Sequence, residues 1–292
     1  MKKWILTAVV LVIAGAVICF AAAASMGFDL RRLDTGKYET NTYEVSEPFT
    51  AVAVDIDAGN VVIRPSEDGM CKVVCLEEEK QRHDVKVENG TLRIRHPEWK
   101  EDFFHFGVSI GETEITVYLP EGSYSALSVQ TDSGDISIES LHVENIALET
   151  DTGDIRLQSI QCTGALRGET DTGEMHVQDV TCGNLYSEGE TGNITLERVM
   201  ISGNCSIDRD TGDVVFRDSD AGEISVETDS GDVTGTLLSE KVFLTETDTG
   251  DVQVPQTIQG GTCRISTETG DIRIEIRSIT HDCYDVTPCQ VF

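Results

Sequence analysis

A four-residue motif, Asp-Thr-Gly-Asp or a close variant of it, recurs eight times in the chain at a nearly constant interval. Successive motif glycines, from Gly134 to Gly270, are separated by 19, 20, 19, 20, 19, 19 and 20 residues. A meander of hairpins gives no reason for one turn to recur at a fixed interval, whereas a coil that returns to the same corner must repeat it. The period therefore predicts a solenoid with 19–20 residues per coil.

Hydrophobic residues alternate with polar ones on both sides of each motif. Around Gly153, for example, Ile146 and Leu148 precede the turn, and Ile155 and Leu157 follow it. Alternation with a period of two on both sides of a tight turn predicts strand, turn and strand with one buried face. The glycine supplies a positive φ, and the preceding Asp can hydrogen-bond its own backbone two residues on. The predicted fold class is all-β: a single-stranded parallel β-helix, preceded by one N-terminal transmembrane helix.

The repeated segment resembles a known family. Leu-Pro-Glu-Gly at 119–122, leading into the strand and turn of 127–136, and the recurring Thr-Asp-Thr-Gly-Asp-Ile are similar to the bacterial DUF4097 family of β-strand repeat proteins. Its members carry the name putative adhesin, and many follow an N-terminal membrane segment. The resemblance covers residues 38–277. It implies a right-handed β-helix and an adhesion role, and the family offers no defined catalytic residues to transfer.

An apolar segment of 21 residues, Trp4 to Ala24, follows the first three residues and contains a single polar member. About 20 helical residues cross a bilayer, so the segment is long enough for a membrane span. The three alanines before Ser25 equally fit the cleavage site of a signal peptide, and the two interpretations stay open. We expect a single-pass protein of the cell membrane with its bulk extracytoplasmic: residues 1–3 form a cytoplasmic stub, 4–24 the transmembrane helix or signal peptide, and 25–37 a linker.

The rest of the chain divides by its regularity. Residues 38–123 keep strand signals without the period, and we interpret them as irregular first coils that also cap the solenoid. Within them, Asn89-Gly90 between alternating segments predicts a hairpin. The aromatic residues of 96–99 and 103–106 are interpreted as a cap on the core, with an exposed sugar- or protein-binding patch as the alternative. Residues 124–277 form the regular repeats, and 278–292 a C-terminal cap or tail.

The charge balance restricts the partners. The chain has 22 basic and 52 acidic residues, a net charge of −30. Between Tyr124 and Glu275, 30 acidic residues face 8 basic ones, so the acidity belongs to the repeats. Such a surface repels nucleic acid and favours cations or basic partners.

The acidic positions of the motif are the best candidate for a metal site. The residues two before and one after each motif glycine are acidic in 15 of 16 cases, Asn193 being the exception. Stacked carboxylates about 4.8 Å apart repel one another, and Ca²⁺ could relieve that repulsion. The alternative is that exposed turns tolerate the repulsion while the acids cap backbone amides and the neighbouring Thr or Ser forms a hydrogen-bonded ladder. The candidate calcium column consists of Asp132, Asp135, Asp151, Asp154, Asp171, Glu174, Asp210, Asp213, Asp229, Asp232, Asp248 and Asp251.

The nine cysteines allow disulfides without requiring them. Cys162 and Cys182 fall in one column on adjacent coils, at a separation that suits a disulfide. Cys71/Cys75 and Cys283/Cys289 are possible local pairs. Cys205 and Cys263 share an inward column three coils apart, too far to pair, which favours a place in the core.

No nucleophile elbow, phosphate loop or zinc-finger spacing occurs in the sequence, and the acids repeat along an edge instead of converging. We therefore expect a non-enzymatic, membrane-anchored extracytoplasmic scaffold for adhesion or cell-envelope interaction, with no cofactor beyond the calcium just considered. Its partner would be an envelope component, a protein or a glycan, besides the membrane itself. The alternatives are a Ca²⁺-responsive envelope sensor or structural element, and a glycan-active β-helix enzyme.

Overall fold

The computed structural model describes residues 37–79, 82–96 and 113–277, together with Val12, Gly15, Phe20 and Ala24. This part of the chain forms 24 strands. They are β1 (Tyr38–Val45), β2 (Ala51–Ala58), β3 (Asn60–Pro65), β4 (Cys71–Glu78), β5 (Asp84–Glu88), β6 (Thr91–Arg95), β7 (Glu114–Leu119), β8 (Ser123–Ser133), β9 (Ile136–Glu139), β10 (His142–Thr152), β11 (Ile155–Gln158), β12 (Gln161–Cys162), β13 (Ala165–Thr172), β14 (Met175–Gln178), β15 (Thr181–Cys182), β16 (Asn184–Thr191), β17 (Ile194–Glu197), β18 (Met200–Thr211), β19 (Val214–Ser230), β20 (Val233–Leu237), β21 (Lys241–Thr249), β22 (Val252–Gln253), β23 (Gly261–Thr269) and β24 (Ile272–Ile276).

Each regular coil has three corners. In the coil that begins with β10, the first corner is the motif around Gly153, from which β11 leaves. The second corner is at Ser159, whose φ of 58° is left-handed, and the short strand β12 follows it. The third corner, at Gly164, returns the chain to β13. Strands that lead into the first corner form the inbound sheet, and strands that leave it form the outbound sheet.

Neighbouring coils stack residue on residue. Ile146 of β10 lies opposite Leu127 of β8 on one side and Leu166 of β13 on the other. Parallel pairing in this register lines up identical positions of the repeat, so every inward residue extends a column of aliphatic side chains. Leu127, Ile146 and Leu166 are at most 2% exposed. Burying one such side chain contributes about 1.5–3 kcal/mol, so the columns hold the coils together.

The order of the coils in space departs from their order in sequence at both ends. At the N-terminal end, β2 lies between β6 and β8, and β3 lies between β7 and β9. The first coil of the sequence is therefore enclosed by the second and the third.

The C-terminal end repeats this inversion. Here β23 pairs with β19 on one side and with β21 on the other. Likewise β24 lies between β20 and β22. The last coil in sequence is inserted inside the coil that precedes it.

The prediction of a purely parallel β-helix is corrected at the N-terminal end. β1 pairs antiparallel with β4, β4 antiparallel with β7, and β5 antiparallel with β6. The Asn89-Gly90 hairpin predicted from the sequence is confirmed as the β5–β6 turn, with φ of 52° and 77° at the two residues. Antiparallel strands can be joined by a tight turn. They can therefore pair with β6 and β7, the outermost coil at this end, without forming a further complete coil. The all-β class and the coil-forming repeat are confirmed, and the sheet is mixed.

The membrane localisation predicted from the sequence is also corrected. Within the residues that the structure describes, no helix has both the length and the apolar character that crossing a bilayer requires. The predicted span, residues 4–24, lies outside the described residues except for Val12, Gly15, Phe20 and Ala24. The aromatic residues interpreted as a cap on the core (apart from His96) and the C-terminal tail likewise lie outside the described residues.

Candidate functional site

The motif glycines form a stack of touching backbones at the first corner. A Cβ added to Gly153 would lie 2.1 Å from the carbonyl oxygen of Gly134, and one added to Gly173 would lie 1.9 Å from that of Gly153. Their φ values of 155° and 158° also disfavour any other residue. The motif glycine is therefore required by backbone contact between coils, and it leaves no room for a ligand between them.

The residue after the motif glycine caps the neighbouring coil at six of the eight motifs. The Oδ1 atom of Asp135 accepts a hydrogen bond of 3.0 Å from the amide of Asp154, and that of Asp213 accepts one of 2.9 Å from Asp232. Arg156 also forms ion pairs of 3.1 and 2.5 Å with Asp135 and Asp154. Four of the twelve residues of the predicted calcium column, Asp135, Asp154, Asp213 and Asp232, thus have a structural role. The same bond is made by Asp154 to Glu174, Asn193 to Asp213, Asp232 to Asp271 and Asp271 to Asp251.

The acid two positions before each glycine lies exposed at the corner, as at Asp132, Asp151 and Asp171. Within the described ranges no hydrogen bond involves these three side chains, so the expected bond to their own backbone is not formed. No three carboxylates of the two acidic columns come within metal-binding distance of one another in the described chain. The calcium site stays a prediction.

The hydroxyl ladder lies three positions before the glycine. The Oγ1 atoms of Thr150 and Thr170 donate to the carbonyls of Gly134 and Gly153 in the preceding coil, at 3.1 and 3.0 Å. The Thr or Ser next to the glycine instead contributes its backbone carbonyl, as Thr152 does to the amide of Gly134. These buried threonines form a column, which we call the threonine column, and their hydrogen bonds link these first corners to those in the preceding coils.

Arg209 interrupts the threonine column. Its side chain is buried, its Nη1 donates to the carbonyl of Thr170 at 2.9 Å, and its Nε has no partner. Burial lowers the pKa of the guanidinium. Gly189 of the preceding coil makes room for it, since a Cβ there would lie 2.2 Å from Nη1. Arg209 is a buried cation enclosed by the core, which places it out of reach of a macromolecular partner.

A third acidic column, which the sequence reasoning missed, runs along the outer face of the inbound sheet. Its members lie four positions before the motif glycine in five successive coils, and that spacing was the signal that could have found it. The strand pairings place each one opposite the next. We call this column the acidic ladder; it consists of Glu149, Glu169, Glu188, Asp208 and Glu227.

The acidic ladder borders a shallow groove of about 410 Å³. Arg167 and Tyr186 lie in the same groove, with the guanidinium 4.4 Å from the ring centroid. Burial, and then the charges of neighbouring acids beginning with Glu149 and Glu188, raise the pKa of Glu169. The ladder is thus an electrostatically strained, outward-facing surface on a rigid sheet.

A buried polar cluster lies at the N-terminal end. Glu77 occupies an inward position of β4 and is 0% exposed. Its Oε1 accepts from Asn41 Nδ2 at 2.8 Å and Tyr43 Oη at 2.9 Å. Its Oε2 accepts from the amide of His83 at 2.6 Å and lies 2.7 Å from His83 Nδ1. Burial favours a higher pKa for Glu77, but the bonds from His83, Asn41 and Tyr43 prevail and lower it.

Cys75 completes this cluster. Metal-ligating atoms of Cys75, Glu77 and His83 lie within 4.8 Å of one another, and all three residues are buried. Burial, reinforced by the charge of Glu77, raises the pKa of the Cys75 thiol to about 12. One sign of this cluster is visible in the sequence: Glu77 continues the alternation that places Cys71, Val73 and Cys75 on the inward face of β4.

The cysteines of the described chain are free thiols in the core. Cys162 and Cys182, considered for a disulfide, are both buried and form no disulfide, as is also true of Cys71 and Cys75. Cys205 and Cys263 lie in the core as predicted, but Ile224 alone separates them in their column. They are two coils apart instead of three because the last coil is inserted. Cys19, Cys283 and Cys289 lie outside the described residues.

The family comparison matches the repeat twice. The model of the Toastrack DUF4097 family matches residues 49–166 and again 163–287. Together the two matches cover the inverted coils at both ends. No curated protein matches the chain.

Solved structures with a similar fold have low sequence identity. A putative adhesin from Bacteroides fragilis aligns with a TM-score of 0.52 and 18% identity, over 82% of this chain and 97% of that one. A putative lipid binding protein from Parabacteroides distasonis aligns with a TM-score of 0.43 and 15% identity, over 84% and 98%. A putative adhesin from the same species gives 0.42 and 14%, over 82% and 98%. The first of these supports the fold.

Proposed function

The chain belongs to the Toastrack DUF4097 family, and we propose that it is a non-catalytic binding scaffold of the adhesin kind, whose acidic ladder contacts basic protein partners. The observation that carries the proposal is the in-register stacking of Glu149, Glu169, Glu188, Asp208 and Glu227 on one outer face. The name of the Bacteroides fragilis structure, a putative adhesin, agrees with a binding role.

The ladder is costly to the fold, which supports a role outside it. Coils stack about 4.8 Å apart. Each neighbouring pair of like charges then costs on the order of 1 kcal/mol in water. The acids after the motif glycines offset such a cost by capping amides, as Asp135 does for Asp154. Glu169 and Glu188 make no such bond within the described chain. A basic partner would relieve their repulsion.

The geometry favours binding over catalysis. Ladder carboxylates repeat along a flat sheet face, whereas acid–base chemistry on a glycan requires two carboxylates that converge across a cleft. A flat, rigid column of charge fits a partner that presents several basic side chains at once. Such contacts fix orientation and speed association more than they raise affinity.

The test compares two triple variants that remove equal charge from different faces. E149Q/E169Q/E188Q removes three ladder charges, and D151N/D171N/E190Q removes three exposed corner charges on the same coils. Binding of a fluorescent deca-lysine peptide is measured by anisotropy at low salt. Each ladder contact is worth about 0.5 kcal/mol, so the ladder variant should bind about tenfold more weakly.

The corner variant should lose less than about threefold, and added salt should abolish the difference. Equal losses in the two variants would reduce the effect to net charge and contradict the proposal. Thermal melts of both variants verify that the fold is intact.

A further inference from the structure

We propose that Cys75, Glu77 and His83 form a Zn²⁺ site at the N-terminal end of the solenoid. Their ligand atoms lie within 4.8 Å of one another, and all three residues are buried. This inference is independent of the acidic ladder, which lies on the regular coils.

The donor set matches the ion. Zn²⁺ binds thiolate sulfur, imidazole nitrogen and carboxylate oxygen in tetrahedral geometry, and three protein ligands with a fourth small ligand are common. A thiolate donor disfavours Mg²⁺ and Ca²⁺, which take oxygen ligands. Cys75 and Glu77 are two residues apart on β4, so their side chains project to the same inward side of the strand. His83 reaches them from the segment before β5.

Neighbouring side chains already hold the carboxylate in place. Asn41 and Tyr43, both on β1, donate to Oε1 of Glu77 at 2.8 and 2.9 Å. They leave Oε2 turned toward the imidazole of His83, 2.7 Å from its Nδ1. Hydrogen-bond partners that orient a ligating carboxylate are a regular part of metal sites.

The ion would enter between the carboxylate and the imidazole. With Zn–N and Zn–O bonds of about 2.0–2.1 Å at a tetrahedral angle, the two ligand atoms stand about 3.3 Å apart. The present separation of Oε2 and Nδ1 is 2.7 Å, so a modest outward shift of the ring makes room. The Zn²⁺ ion takes the place of the proton between these two atoms, which transfers through solvent to Nε2 so that the imidazole stays neutral, and the Cys75 thiol releases its own proton to solvent on forming the Zn–S bond.

The competing explanation is a hydrogen-bonded structural cluster without a metal. Glu77 has hydrogen-bonding partners on both oxygens in the structure, so burial of its charge is compensated by Asn41, Tyr43 and His83. That explanation assigns no role to the sulfur of Cys75 and predicts no metal affinity. The two explanations therefore differ in a property that can be measured directly.

The experiment uses the purified full chain after treatment with a chelator. Titration with Co²⁺ should produce the charge-transfer absorption of a Co²⁺–thiolate bond, saturating at one ion per chain. Zn²⁺ should then displace the Co²⁺ and abolish the band. Exposed carboxylates can bind both ions weakly, but they cannot produce a thiolate band.

Two pairs of variants locate the site. C75A removes the proposed sulfur ligand, and C71A removes a buried thiol four residues earlier on the same inward row of β4. H83N removes the proposed imidazole, and H176N removes one from the regular coils. C75A should lose the band, and C75A and H83N should each weaken Zn²⁺ binding at least tenfold. C71A and H176N should match the parent chain.

Absence of a thiolate band in the parent chain would overturn the proposal whether or not the variants fold. Retention of the band in C75A at parental intensity would overturn it as well, because another thiol would then be the ligand. Circular dichroism melts of each variant, with and without Zn²⁺, identify any variant that fails to fold. The proposal also expects Zn²⁺ to raise the melting temperature of the parent chain and not that of C75A.

Discussion

Replacing Gly153 with alanine tests the claim that the motif glycine is required by contact between coils. The new Cβ would lie 2.1 Å from the carbonyl oxygen of Gly134 and 2.5 Å from its carbon. Both atoms belong to backbone that is itself stacked on a further corner, so neither can move alone. The two coils must separate locally by about 1 Å before the contact becomes tolerable.

The cost follows from the bonds that this separation breaks. The amides of Gly134 and Ile136 donate to carbonyls of the following coil at 2.9 and 2.8 Å. The amide of Asp154 donates to the side chain of Asp135 at 3.0 Å. Three hydrogen bonds at about 1 kcal/mol each give about 3 kcal/mol. Forcing an alanine to the φ of a glycine adds about 1–3 kcal/mol, for a total of about 4–6 kcal/mol.

Thermal unfolding followed by circular dichroism measures this loss. For a domain of this size, 1 kcal/mol corresponds to about 2–4 °C, so G153A should melt about 8–24 °C below the parent chain. The matched control is G122A, because a Cβ at Gly122 meets no atom within 4 Å. A melting temperature for G153A within about 3 °C of G122A would refute the reasoning.

Three further predictions concern the core, the ladder and the C-terminal coils. R209M should be as stable as the parent chain or more so, because it removes a buried charge and keeps the volume, whereas R209A should lose about 2–5 kcal/mol in urea unfolding. E169Q should raise the melting temperature at neutral pH, since the folded-state pKa of Glu169 is raised above 4.5; the gain should vanish as the pH falls below that value, and a gain that persists there would contradict the assignment. A chain ending at residue 258 should be cleaved by protease within 240–258, whereas one ending at residue 239 should resist as well as one ending at 277; equal resistance of all three would contradict the coil order.

The parts of the fold that could be predicted are those determined by short sequence patterns. The motif glycine and the alternation around it, as at Ile155 and Leu157, predict the first corner and the buried face. The second corner could not be predicted, because its left-handed residue is Ser159 (φ 58°) and not a glycine. Serine is common in turns of every kind, so it does not identify this corner. The acid after the glycine was recognised as a capping residue, but its bond to the next coil, as from Asp154 to Asp135, depends on stacking that one coil does not reveal.

The candidate sites also differ in how far short sequence patterns could predict them. The acidic ladder was missed because the search for a site considered only the acidic residues of the motif itself, as possible metal ligands. Glu77 was detectable from its inward phase on β4, but its partners Asn41 and Tyr43 come from β1, which pairs antiparallel with β4. Nothing in a parallel repeat predicts that pairing. The cluster therefore required the arrangement of the irregular end, where sequence periodicity carries no information.

Pro255 suggests a physical reason for the inverted coil order at the C-terminal end. In the outermost C-terminal coil, β22 has two residues and Pro255 follows it. Proline cannot donate to a ladder, so this coil is suited to an edge, and a short edge strand also resists pairing with other chains. The inserted coil has a five-residue strand, β24, bonded on both sides.

Sequential order would have placed the proline coil inside the sheet and a long, regular strand at its edge. Inversion exchanges the two at the cost of closing a longer loop. Gly231 and Gly270, which stack at the first corner, are 39 residues apart instead of about 20. Doubling a loop costs only about 0.6 kcal/mol, less than one backbone hydrogen bond. Pro255 and the two-residue strand β22 therefore both suit this coil to the edge, where the structure places it.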